Sequence, residues 1–225
     1  MPSIINATVT SGLTANSDVS GNLIFQTSSN NVLTLDNTQN ATFVNDITSR
    51  NGLVPGELIY RLNSTVAGAD STAVQKILGV GVTVSASTVY QFELVYTLNK
   101  SAGAVSHAMQ LSFGGTATLN NISYDILVAQ SSAAGTINGG VLTTANFMVI
   151  QQATATTINS ATTNTTSAFY GIVKGTVSIN AGGTFIPQYT LTAAPGGAYT
   201  TQIGSYFKLS RIGASGANTS IGTWV

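Results

Sequence analysis

The side chains suited to acid–base chemistry near neutral pH are few: one histidine, His107, and seven carboxylates, with no cysteine. A Ser/His/Asp triad has only His107 to draw on, and no G-x-S-x-G elbow occurs in the chain. A metal site built on His107 needs ligands from several subunits around an axis, so it reads as a core or interface histidine. Glycoside cleavage needs two carboxyl groups about 5 to 9 Å apart, and Glu93 with Asp125 is the pair to consider. Glu93 falls on the more polar face of an alternating run and Asp125 near a strand start, which gives both a solvated or interface role. Gly114-Gly115 and Gly139-Gly140 are turns with no phosphate-loop lysine after them. We expect no catalytic, cofactor-binding or metal-ligating residue, no cofactor, and no enzyme.

Surface chemistry is the remaining possibility. Seven N-x-S/T sequons begin at Asn6, Asn40, Asn63, Asn99, Asn121, Asn164 and Asn218, as chance provides in a chain rich in Thr and Asn. Tyr199, Tyr206 and Trp224 are candidates for stacking on sugars. Packing at a sandwich end or a trimer axis is the preferred reading for all three.

These residues are held by a chain organised around Gly79–Phe113. In Thr88–Leu98 the residues Tyr90, Phe92, Leu94, Tyr96 and Leu98 alternate with Val89, Gln91, Glu93, Val95 and Thr97. A period of two over this length predicts a strand with one buried face. After the turn-type cluster 99–104, His107, Met109, Leu111 and Phe113 alternate in the same way, and the two runs read as an antiparallel hairpin. Upstream, Asn22–Thr27, Val32–Leu35 and Ala41–Val44 form a short meander over residues 1–50, with Pro55-Gly56 near the boundary of a main domain over 51–225. Glu57–Leu62 is a strand, and Thr72–Leu78 a short helix. Thr116–Leu119, Tyr124–Ala129, Ala145–Gln152, Phe169–Asn180, Thr184–Thr192 and Gly204–Ile212 are strands, with a last short one in Ser220–Val225. Ala153–Thr166 is a loop or mobile excursion. Pro187 marks its strand as an edge or a bulge.

Such a series of strands separated by turns predicts an all-β, antiparallel sandwich or barrel. Charged residues make up 6% of the chain, against about 25% in an average protein, and the net charge is zero. Without a basic stripe, a nucleic-acid partner is not expected. No apolar run reaches the roughly 20 residues of a membrane span, and the N-terminus lacks the features of a secretory signal. A thinly charged, disulfide-free β chain fits an assembly in which neighbouring copies cover much of each surface.

From about residue 58 to 225 the chain resembles a domain of tailed-bacteriophage fibre, spike and decoration proteins. The stretches that carry the resemblance are Leu78-Gly79-Val80-Gly81, VYQFELVYTL, SHAMQLSFGGTATLNNISYDI, KGTVSINAGGTFIPQYTLTAAPGGAYTT and GSYFKLSRIGASGANTSIGTW. The segment GNLIFQTSSNNVLTLDNTQNATF is similar to a meander found in phage fibre proteins. The resemblance implies an antiparallel jelly-roll β-sandwich of the tumour-necrosis-factor and C1q kind, with a short N-terminal β-meander arm, working as a homotrimer. It implies a virion structural protein made in the host cytoplasm. The short arm favours a capsid decoration (cement) protein on the capsid exterior, with the major capsid protein as partner. The alternative is a receptor-binding tail or head fibre that recognises host surface glycans through loops such as Ser131–Gly140 and Ala153–Thr166.

Overall fold

The computed structural model describes residues 23–27, 30–35, 41–43, 57–131, 144–151, 154–216 and 218. The chain divides into two compact units, Met1–Ser49 and Arg50–Val225. In the first, β1 (Leu23–Thr27), β2 (Asn30–Leu35) and β3 (Ala41–Phe43) form an antiparallel three-stranded meander.

In the second unit the described strands before the centre are β4 (Glu57–Arg61), β5 (Val66–Ala67), β6 (Gln75–Lys76) and β7 (Val82–Val84). Then come β8 (Thr88–Lys100), β9 (Met109–Gly114), β10 (Thr118–Ser131), β11 (Thr144–Gln151) and β12 (Ala155–Thr157). Last are β13 (Ser167–Ala181), β14 (Gly183–Leu191), β15 (Thr200–Thr201) and β16 (Tyr206–Ala214). A large sheet runs β11-β10-β13-β8, after which β8 pairs with both β15 and β16, and these continue to β5 and β4. A smaller sheet is built on β12-β9-β14, with β6 and β7 pairing to β14. All these pairings are antiparallel. The fold is an all-β antiparallel sandwich.

The two sheets meet through the alternating faces of their strands. Tyr90, Phe92, Leu94, Tyr96 and Leu98 of β8 are buried, as are Met109, Leu111 and Phe113 of β9. Phe92 is the hub of an aromatic cluster, its ring centroid 5.1 Å from Phe113, 6.0 Å from Phe185, 6.1 Å from Phe207 and 6.4 Å from Tyr124. These five rings come from five strands in both sheets. Offset and edge-on aromatic pairs contribute beyond their buried area, so the cluster ties the sheets together at mid-strand.

Four local expectations are corrected. β8 and β9 do not form a hairpin: β8 pairs with β13, β15 and β16, whereas β9 pairs with β12 and β14 in the opposite sheet. Both runs bury the expected face, but those faces look at each other across the core, and the 101–108 link crosses between sheets. Residues 72–78 form no helix. Gln75 accepts from the Ala69 amide at 2.6 Å, donates to the Ala69 carbonyl at 3.0 Å and accepts from the Tyr189 hydroxyl at 3.0 Å, which holds β6 extended.

The segment 153–166, read as a loop, is tied to the small sheet where it is described. β12 pairs with β9, and the Met109 amide donates to Asn159 Oδ1 at 2.7 Å. Pro187 lies inside β14, which has partners on both sides. It is tolerated because β7 pairs with Gly183–Phe185 and β6 with Gln188–Tyr189, so the missing N–H falls in the gap between them.

Candidate functional site

Glu93 and Asp125 lie on one row across the large sheet. In register order the row runs Asp125, Lys174, Glu93, Lys208, Ile59, from β10 to β4. From Asp125 to Lys208 the alternation of sign makes each cross-strand neighbour an attractive one. Lys174 Nζ is 3.0 Å from Glu93 Oε2, and Lys208 Nζ is 3.4 Å from Glu57 Oε1. The Tyr206 hydroxyl donates to Glu93 Oε1. That bond, with the Lys174 ammonium, holds the Glu93 carboxyl below the usual range, and the same bond pushes the Tyr206 phenol up to about 12. One strand, β13, separates Glu93 from Asp125, so two strand spacings set them about 10 Å apart along the sheet, with Lys174 between them. A polar depression of about 150 Å³ beside this ladder is lined by Glu57, Gln91, Glu93, Lys174, Lys208 and Ser210. A carboxylate held ionised between a phenol and an ammonium is suited to fixing strand register and a charge pattern, not to donating a proton.

His107 is fully buried, with Tyr199 and Ser167 beside it. Its Nδ1 lies 2.7 Å from the Val105 carbonyl, which can only accept, so Nδ1 carries a proton. In the neutral ring Nε2 then accepts from the Tyr199 hydroxyl at 2.7 Å, and Ser167 donates to Tyr199 at 3.2 Å. Burial pushes the Tyr199 phenol up to about 12, opposed by the Ser167 bond. The chain of three hydroxyl and ring groups satisfies its members internally, which makes His107 a core histidine. Among the described residues no cluster of three or more His, Asp or Glu side chains gathers.

Lys100 was part of the turn cluster in the sequence, yet it ends β8 with only 1% of its surface exposed. Its ammonium shares three N–H donors among four backbone carbonyls: Gly103 and Asn164 at 2.6 Å, Ala102 at 3.1 Å and Thr165 at 3.3 Å. Burial lowers its pKa, and the Asp70 carboxylate opposes that shift. Gly103 (φ 79°) belongs to this cap. A Cβ there would sit 2.3 Å from the Gly196 and Pro195 backbone of the facing loop, so no other residue fits. Lys100 therefore fixes the segment that carries the chain from one sheet to the other.

The surface that stands out lies at β4. This strand is at the rim of the large sheet, and among the described residues it pairs with β16 alone. Its residues are exposed on both faces: Leu58 by 45%, Ile59 by 61% and Tyr60 by 46%. Beneath it an apolar groove of about 300 Å³ opens between the sheets, lined by Leu58, Tyr60, Val80, Val82, Pro187 and Leu209 among others. Pro187 lines this groove where β6 and β7 part along β14, and its carbonyl accepts from the Ile77 amide at 3.0 Å. Unpaired, apolar edge strands are templates for pairing with another chain, so this is the candidate interaction site. Sequence reasoning identified β4 as a strand but not as an open one. The signal is ELIYR itself, three large apolar residues in succession where an exposed strand alternates.

Tyr206 sits half-buried on the ladder face and Tyr199 in the core. Trp224, the strand expected in Ser220–Val225 and most of the loop Ser131–Gly140 lie outside the described residues. No described helix is long and apolar enough to cross a membrane. Comparison with family models, curated proteins and solved structures finds no match to the chain.

Proposed function

We propose that the chain is a non-enzymatic structural protein of a tailed-phage virion, a jelly-roll homotrimer that decorates and cements the capsid. The observation that carries this reading is the apolar rim at β4: a sandwich whose exposed edge and groove suit coverage by another subunit, on a chain with 6% charged residues. Sparse charge suits dense packing, because many like-charged copies side by side repel one another. In this proposal the N-terminal unit grips the shell or adjoining copies and the sandwich faces outward. Cementing is then a matter of surface buried between neighbouring capsid subunits, which opposes the internal pressure of packaged DNA.

The test is particle stability. Virions assembled without this chain should still form and package DNA, but release it at a lower temperature, and purified protein added back should restore the wild-type value. Particles of unchanged heat stability that fail to adsorb to cells would overturn the cement reading in favour of a glycan-recognising fibre.

A further inference from the structure

We propose that two copies of this chain join edge to edge through β4, paired antiparallel with itself about a two-fold axis at Ile59. The strand Glu57-Leu58-Ile59-Tyr60-Arg61 is self-complementary. Centred on Ile59, antiparallel pairing sets Glu57 opposite the second copy's Arg61, Leu58 opposite its Tyr60, and Ile59 opposite its own counterpart. Opposite charges and aromatic–aliphatic pairs are the favourable cross-strand combinations. Slipping the register by two residues sets Ile59 against a charge, and a slip of one misaligns the two faces.

The faces agree with this placement. Leu58 and Tyr60 are in register with Leu209 and Phe207, so they stand on the core side, above the groove. The second copy's Tyr60 and Leu58 would close the groove mouth. Glu57, Ile59 and Arg61 share the outer side with Ser210, Lys208 and Tyr206. There the charge ladder ends abruptly on Ile59, the most exposed large apolar residue of the described chain. Pairing about the axis continues the ladder through an Ile59–Ile59 contact into the second copy's Lys208. Glu57 lies 3.4 Å from Lys208, and Arg61 donates to Asn63 Oδ1 at 2.5 Å. Both charged groups keep capacity for a second partner. The contact is isologous, so it stands independently of the virion reading. If a threefold also exists, it links trimer to trimer.

The molar mass of the full chain in solution, by light scattering at low salt, tests the proposal. We expect an even number of copies, a dimer or a hexamer, and at least a tenfold weaker association for Arg61→Glu, which sets Glu against Glu twice. The double exchange Glu57→Arg with Arg61→Glu restores opposite charges and should recover the wild-type mass. Ile59→Lys, at an exposed position that burdens no fold, should halve the mass with an unchanged melting temperature of the monomeric unit. A monomer or trimer for the wild type overturns the pairing. So does an even assembly whose mass is indifferent to Arg61→Glu, or one that the double exchange fails to recover.

Discussion

Replacing Lys100 by Met keeps the stem of the side chain and removes the ammonium, leaving four backbone carbonyls without their donor. Two of the four bonds, to Gly103 and Asn164, are 2.6 Å long. Hydrogen bonds to charged groups contribute about 1.5–3 kcal/mol each, so these two supply roughly 3–6 kcal/mol. Against this stands the cost of holding an ammonium out of water with no carboxylate bonded to it, of the order of a few kcal/mol. Met does not incur that cost, but it strands the carbonyls, each of which loses about 1–3 kcal/mol if it stays dry. The net loss expected for Lys100→Met is about 2–4 kcal/mol. In urea, with a slope of about 1–3 kcal/mol per molar, the midpoint should fall by about 1–2 M with the slope unchanged. In a thermal scan the corresponding drop is on the order of 5–15 °C. A loss below about 0.5 kcal/mol would contradict this role, since it would mean that solvent replaces the ammonium without cost and that the cap does not hold the 101–108 crossing.

Further outcomes follow from other residues. Gly171 lies on the inner face of β13, where an added Cβ would sit 2.3 Å from two carbons of the Tyr96 ring; Gly171→Ala should cost about 1–3 kcal/mol, and Tyr96→Leu in the same chain should return part of it in urea titrations. Burial pushes the phenols of Tyr124 and Tyr199 up to about 12 from 10. Their contribution is therefore complete below pH 10 and lost as pH rises from there toward 12, about 1.4 kcal/mol per tyrosine at pH 11; urea midpoints that stay flat from pH 9 to 11 would contradict this. Glu93 has the opposite sign. Its carboxyl is held below 4.5 by Tyr206 and Lys174, so its contribution is present above that value and fades as pH falls through the folded pKa. Glu93→Gln should flatten the acid limb of the stability curve and cost less than about 1 kcal/mol at pH 7, the scale of a partly exposed pair.

The inner faces of the sandwich were legible because a period of two survives in β8, β9 and β13: every second residue from Tyr90 to Leu98 is buried as its position dictates. Which strands hydrogen-bond was not legible. Alternation tells which face is covered, not which edge is paired, and the run from His107 to Phe113 looks the same whether it returns along β8 or crosses to the other sheet. The helix expected at 72–78 failed for a related reason: Ile77 and Leu78 are adjacent and both buried, in a turn that directly follows the two-residue strand β6 and that periodicity does not report. Lys100 carried no local signal, since half of its carbonyl partners lie more than 60 residues away in sequence. Pro187 was a true signal for a missing ladder bond, but the interruption is a gap between two partners, and Pro187 lines the apolar groove at that point.

In the proposed function this chain coats a capsid as one of its structural subunits. The copy number of the chain relative to the major capsid protein, by quantitative mass spectrometry of purified virions, tests it most directly. A cement protein should give a ratio near one to one, or one trimer at each capsid threefold, amounting to hundreds of copies per particle. A ratio of a few per hundred, or no copies in the particle, would contradict it.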